Sequence, residues 1–451
     1  MPPQSGEKMT PLVDDNDANT STNCEESSSF FFLSPSAATQ LPLFQYKGED
    51  RSLLYHYVLS PLAAFCVDHL TPTRLAPNTI TLTGLGFMIA AYSSMWYHAP
   101  TLLQVEDVQD LPRWIFLLNG MSMLIYQTLD NMDGKQARKT GSSSPLGLMF
   151  DHGIDAINSV FGSVNWMVAM ALNPASDTLM CFTILFGPYG LFFIGTWEEF
   201  YTGELIMPIV NGPNEGLMGG ALMSLTSWYY GPTYWHGHDW WESFIQPVLA
   251  YILPASLLSW LPLAPRNADL LVLGCSLGFV QEIVLKINFV VRTYKLKALW
   301  NLLPFFTLTA CSLLVGIADY QVWLDMPRTS LHLCAALFVE MATALMLAHT
   351  TEQDYQPVRW ILLPLVLLTA AVVSGQCWPA GKETADFLLV YATAVTTFLA
   401  CKTVIVVREI CAVLNIWCFD IVTPRTRANS RATSATSKAT TPLQNGRAKI
   451  D

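Results

Sequence analysis

The chain has 451 residues, of which 52% are hydrophobic and 13% charged, with a mean hydropathy of +0.34. Soluble multidomain proteins carry about a quarter charged residues, so this composition excludes that class and points to a membrane protein. The formal charge of −11 comes mainly from acidic residues in the first 50 positions, in short loops and in one internal cluster, which disfavours a nucleic-acid partner.

In chain order, residues 1–42 are polar and Ser-rich, with no apolar periodicity and neither the basic n-region nor the apolar core of a secretory signal. They are expected to be disordered and uncleaved. Within them, Phe30–Leu33 reads as a loose membrane-surface contact. Arg51–Leu70 places Leu53, Leu54, Tyr57, Val58, Leu62 and Phe65 at helical spacing among Arg51, His56 and Asp68. That pattern predicts an amphipathic helix lying on the membrane surface.

A bilayer core needs roughly 20 apolar residues as helix. By that ruler about ten spans are predicted, near 79–97, 113–130, 146–172, 178–197, 215–231, 269–291, 299–317, 329–348, 359–374 and 386–408. Phe244–Leu263 is apolar but interrupted by Pro247, Pro254 and Pro262, and reads as re-entrant or interfacial. Residues 421–451 return to Ser, Thr, Asn and Ala and are expected to be disordered. The fold class is therefore all-α, a polytopic integral membrane protein with one membrane domain over 43–420. An even number of spans puts both termini on one side. Lys135, Arg138 and Lys139, then Arg292, Lys295 and Lys297, then Arg425, Arg427 and Arg431 mark that side as cytoplasmic. Ten scattered cysteines form no CxxC pair, and the histidines show no ligand spacing.

Chemistry concentrates in LDNMDGKQARKTGSSSPLGLMFDHGID, residues 129–155. Asp130 and Asp133 share a face at i,i+3, and Gly147, Asp151 and Asp155 share one at successive i,i+4 positions. Two carboxylate pairs at the ends of apolar helices are costly and repel one another if bare. A divalent cation resolves this; all-oxygen ligation suits Mg²⁺ or Mn²⁺, and two such ions can bridge a pyrophosphate. Gly134 and Gly147 read either as places where a ligand approaches closely or as packing residues, and Arg138 offers a bidentate fork for phosphate. A single aspartate of this kind is as readily a helix cap or a solvated charge; the set of four is not.

With these residues the chain resembles the CDP-alcohol phosphotransferases, whose signature D-x2-D-G-x2-A-R-x8-G-x3-D-x3-D is met at Asp130, Asp133, Gly134, Ala137, Arg138, Gly147, Asp151 and Asp155. Phe44–Leu53, Pro77–Gly84, Tyr126–Pro145, Thr196–Glu199, Asn211–Met218 and Arg408–Phe419 are similar to the eukaryotic choline and ethanolamine phosphotransferase branch. Ile154 departs from it, standing where that branch often has a small Cys. The resemblance implies that Asp130, Asp133 and Asp151 bind metal and that Asp155 is the general base or a shared ligand. It also places Gly134 and Arg138 against the CDP moiety. The implied reaction transfers phosphocholine or phosphoethanolamine from CDP-choline or CDP-ethanolamine to diacylglycerol, at the endoplasmic reticulum or Golgi, with the site facing the cytoplasm. Small-residue spans hint at a homodimer.

Secondary signals carry two readings each. Asn78 hydrogen-bonds the nucleotide or caps a helix, and Lys135 and Gln136 touch phosphate or cytidine or are solvated. Glu198, Glu199, Glu204 and Glu215, with Trp197 and Tyr201, face a cationic aminoalcohol or form an interfacial acidic loop. Glu282 and Lys286 read as a structural ion pair, with Glu340 and His349 as similar cases, and His152 orients Asp151 or does nothing. The signature alone also fits inositol, glycerophosphate or serine transferases. A cation-coupled transporter would show repeats with acidic residues in both halves, whereas the four aspartates fall within 130–155.

Overall fold

The computed structural model describes residues 30–102, 111–252, 254, 264–375 and 382–421. Among these, a helix lies across each of the ten predicted segments. They are α3 (Pro77–His98), α4 (Trp114–Thr140), α5 (Pro145–Ala169), α6 (Thr178–Thr202) and α7 (Leu217–Tyr230), followed by α9 (Asn267–Tyr294), α10 (Leu303–Ala318), α11 (Pro327–Thr350), α12 (Leu363–Val373) and α13 (Lys382–Leu414). Shorter helices α1 (Pro35–Gln40), α2 (Ser60–His69) and α8 (Gln246–Ile252) lie between them or before them. The one sheet among the described residues is a parallel pair, β1 (Gly48–Asp50) beside β2 (Leu205–Met207), so the all-α expectation holds but for three residues in each strand.

The sequence sets the helix limits locally. Proline occupies the first turn of α3, α5 and α11, where its missing N–H has no intrahelical partner to lose. Gly141 and Gly203 end α4 and α6 at φ +66° and +73°, a left-handed conformation that a Cβ disfavours.

Among the described residues, five segments are long and apolar enough to cross a membrane: Thr178–Thr202, Asn267–Tyr294, Leu296–Ala318, Pro327–Thr350 and Thr384–Leu414. The chain is an integral membrane protein, and α9 shows how: Leu273, Leu277, Val280, Val284, Leu285 and Phe289 are exposed along its outer face. By contrast α11 is enclosed by α5, α6, α10 and α13, and Phe338 stacks on Tyr189 with ring centroids 4.3 Å apart.

The surface helix is present over 60–69, preceded by a π-helical turn at Tyr55–Leu59. Ala63 and Val67 pack on Ile80 and Met132, while Leu53, Tyr57, Val58, Leu62 and Phe65 are exposed, as an interfacial helix requires. The Phe244–Leu263 segment begins helical, to Ile252; residues 255–263 lie outside the described residues.

The N-terminal boundary needs correcting. Residues 30–42, expected to be disordered, are folded onto α13. The Glu409 carboxylate accepts the backbone N–H groups of Phe31, Phe32 and Leu33, and Leu33 and Leu41 are buried against Leu146, Val406 and Ile410. Residues 1–29 and 422–451 lie outside the described residues.

Intramembrane charges are paired between helices. Lys286 on α9 donates to Glu198 on α6 and, at 3.1 Å, to the Ile206 carbonyl; Glu282, its expected partner, stands 4.0 Å away. Glu340 on α11 accepts from Arg359 and, at 2.8 Å, from Lys402 on α13. Removing that carboxylate strands a buried lysine and a half-buried arginine. Glu340→Ala is therefore expected to destabilise the protein by about 3–5 kcal/mol, read as a lowered melting temperature in detergent against wild type.

Candidate active site

The aspartates are brought together by a helical hairpin. At its turn, Gly141 ends α4, the Ser142 N–H returns to the Ala137 carbonyl at 2.9 Å, and Ser144 caps α5 by accepting the Gly147 N–H at 3.2 Å. With Pro145 at the first position of α5, four loop residues reverse the chain. The last turns of α4 then lie beside the first turns of α5.

Carboxylate oxygens of Asp130, Asp151 and Asp155 all fall within 4.8 Å of one another. Asp133 stands within electrostatic reach of Asp130 and Asp151, and the Thr81 hydroxyl of α3 donates to it. The Tyr126 hydroxyl donates to Asp155. Oδ1 of Asp130 and Oδ1 of Asp151 are buried without any hydrogen-bond partner. Unpaired buried carboxylate oxygens converging on one point are a poor end state for a protein alone and a good donor set for a hard divalent cation. The residues present fit such an ion.

The two signature glycines gain a clearer meaning. A Cβ at Gly147 would meet Asn78 Oδ1 and Ser144 Oγ at 3.7 Å, and one at Gly134 would meet only the Arg138 guanidinium, at 3.6 Å. Those are ordinary contacts, so protein packing does not demand glycine at either place; an approaching ligand would. Gly84 differs: a Cβ there would come 2.9 Å from the Tyr126 ring, so this glycine makes room for the side chain that bonds Asp155.

The other residues singled out from the sequence divide. Arg138 is exposed, folded over Gly134, with no ion pair among the described residues. Asn78 is not a helix cap: Ala76 holds that position, and the Asn78 amide donates to the Cys418 carbonyl at 2.8 Å. This ties the segment after α13 to the rim of the site. Lys135, expected against the nucleotide, instead donates to Ser60 at 2.8 Å and lies over the Tyr55 ring, fastening the interfacial helix. Gln136 is buried and holds the Pro72 and Leu75 carbonyls.

The acidic cluster does not converge on a cation site. Glu198 belongs to Lys286, Glu204 is exposed, and Glu215 accepts from the Ser52 hydroxyl and the Asn211 N–H. Trp197 is core, its indole N–H on the Ala298 carbonyl at 3.0 Å. Only Glu199 turns toward the site. It is buried 3.7 Å from His349 Nε2, and both line a small cavity with His152, whose ring meets that of Tyr46 edge-on. Sequence reasoning missed Thr81, Tyr126 and the Glu199–His349 pairing. Tyr126 was within reach, being four residues before Asp130 on the same helical face.

Residues 74–197, which contain the whole hairpin, match the family model described as CDP-alcohol phosphatidyltransferase. The chain is 30% identical to "Uncharacterized CDP-alcohol phosphatidyltransferase class-I family protein 3" of Dictyostelium discoideum, over 86% of this chain and 98% of the relative. It is 31% identical to "Choline/ethanolaminephosphotransferase 2" of Arabidopsis thaliana, again over 86% and 98%. It is 26% identical to "Ethanolaminephosphotransferase 1" of Mus musculus, over 76% and 83%. With its hairpin of four aspartates and relatives matched over nearly their full length, this chain belongs to the CDP-alcohol phosphatidyltransferase family.

Proposed function

We infer that the protein transfers phosphocholine or phosphoethanolamine from the CDP-aminoalcohol to the hydroxyl of diacylglycerol, releasing CMP. The observation that carries this reading is the aspartate trio with its unpaired buried oxygens, set in the complete signature. The acceptor oxygen forms a bond to the β-phosphorus as the bond from that phosphorus to the CMP oxygen breaks, and the hydroxyl proton passes to a carboxylate. Asp130, Asp133, Asp151 and Asp155 would hold the metal, Mg²⁺ or Mn²⁺, as two ions per site. Bound there, the metal neutralises charge on the pyrophosphate and on departing CMP.

The chain's own residues do the rest. Gly134 and Gly147 leave open backbone for the donor's phosphates, and Asn78 and Arg138 flank that opening. Thr81 and Tyr126 hold Asp133 and Asp155 by their hydroxyls and fix the carboxylate directions. Asp155 takes the acceptor proton in this reading. The Glu199–His349 pair supports a second one, because it lines the adjoining cavity without a metal-like cluster around it. We place ten spans across an endoplasmic reticulum or Golgi membrane, with both termini and the site facing the cytoplasm and with assembly as a homodimer.

The activity is tested on detergent-purified protein with diacylglycerol and Mg²⁺, measuring CMP release from CDP-choline and CDP-ethanolamine in parallel. Release with at least one donor is expected, abolished by chelation; normal turnover in Asp133→Asn would remove Asp133 from the metal site. Metal binding has a readout apart from turnover: Mg²⁺ should raise the melting temperature of wild type and leave Asp151→Asn unmoved. For the proton, whichever of Asp155→Asn and Glu199→Gln loses about 10²-fold or more in kcat while keeping donor affinity identifies the base.

A further inference from the structure

Below the aspartates, α4 and α5 continue as a ladder of polar pairs. Because the helices are antiparallel, positions 130, 126, 122 and 119 descend one face of α4 while 151, 155, 158 and 165 advance along one face of α5. The second rung is tied by Tyr126 donating to Asp155. The fourth is tied by the Asn165 amide donating to Asn119 at 2.7 Å, with Asn119 donating in turn to Ser224 at 2.8 Å. The third rung is different. Ser122 and Asn158 are 1% and 5% exposed, and neither Ser122 Oγ nor either amide atom of Asn158 has a hydrogen-bond partner.

Three unpaired polar atoms in a buried rung are unfavourable unless a ligand with matching groups completes them. Ser122 lies between Tyr126 and Asn119 on α4 and Asn158 between Asp155 and Asn165 on α5, so both fall between the two tied pairs, with Asn158 one turn beyond Asp155. Asn158 follows Asp155 by three residues, a rise of about 4.5 Å along the helix. In a diacylglycerol, the free hydroxyl and the ester carbonyl on the neighbouring glycerol carbon are separated by a comparable reach, roughly the span of one to two residues of chain.

We propose that Ser122 and Asn158 form the seat of the acceptor's ester, with the Asn158 amide donating to the acyl carbonyl next to the reacting hydroxyl. This rests on the diacylglycerol reading above and makes Asn158 a specificity-determining residue for that substrate. The amide oxygen and Ser122 then complete the polar environment of the glycerol. An acceptor whose neighbouring chain is ether-linked presents no carbonyl to this rung.

The test compares full-length wild type, Asn158→Ala, Asn158→Ser and Ser122→Ala, using 1,2-diacylglycerol and 1,2-dialkylglycerol of equal chain length as acceptors. Wild type is expected to favour the diacyl acceptor in kcat/KM by about tenfold, the worth of one hydrogen bond. Asn158→Ala should lower kcat/KM for the diacyl acceptor by about that factor, leave the dialkyl acceptor within about twofold and leave donor KM unchanged. Asn158→Ser, which keeps a donor, should retain part of the preference, and Ser122→Ala should weaken it. Equal losses with both acceptors, or no preference in wild type, overturn the assignment and leave the rung to water or packing. Absence of CMP release from wild type with either donor overturns the activity itself, and this inference with it.

Discussion

The structure turns on electrostatic repulsion among four carboxylates at the adjoining ends of two helices. Among the described residues no lysine or arginine pairs with Asp130, Asp133, Asp151 or Asp155, and Arg138 lies outside, over Gly134. The neighbouring side chains that bond them are the hydroxyls of Thr81 and Tyr126, which orient a carboxylate without discharging it. A site held in this condition spends folding free energy on readiness for a cation, and the surrounding helices must supply the stability.

They supply it by pairing other intramembrane charges. Glu198 with Lys286 joins α6 to α9, and Glu340 with Arg359 and Lys402 joins α11 to α13. The contrast is chemically telling. These two structural carboxylates each have a cation within hydrogen-bond distance, and Glu409 has three backbone N–H donors, whereas no lysine or arginine bonds the four of the site. Glu199 falls between these cases, with a histidine rather than a fixed cation beside it.

What the sequence made legible was local. Helix limits depend on prolines, serine caps and glycines a few residues away, and the hairpin follows from them together with the i,i+3 and i,i+4 spacing of the aspartates. What stayed hidden was pairing across long separations. Glu198 meets Lys286 88 positions away, and the Phe31 to Leu33 backbone meets Glu409 more than 370 positions away. No periodicity announces either contact. Phe30–Leu33 is too short for a helical pattern, and its attachment uses backbone N–H groups that every residue but proline carries. Lys135 shows a related limit: its place in the signature says nothing about which side of α4 its long side chain leaves, and here it reaches Ser60.

The same attention to neighbours bears on why the helices that carry the chemistry are not among the five described segments long and apolar enough to cross a membrane. α5 has no exposed residue from Pro145 to Ala169, and from Ile115 to Ala137 of α4 only Met121 is exposed. Their surfaces meet other helices rather than lipid, so asparagine, serine and aspartate there face protein or substrate. α9 has the opposite arrangement, apolar outward with its one lysine turned in to Glu198. A span enclosed by other helices is where such polar chemistry can be housed. By that logic the unpaired rung at Ser122 and Asn158 is a continuation of the active site into the membrane, toward the apolar substrate that has to reach it.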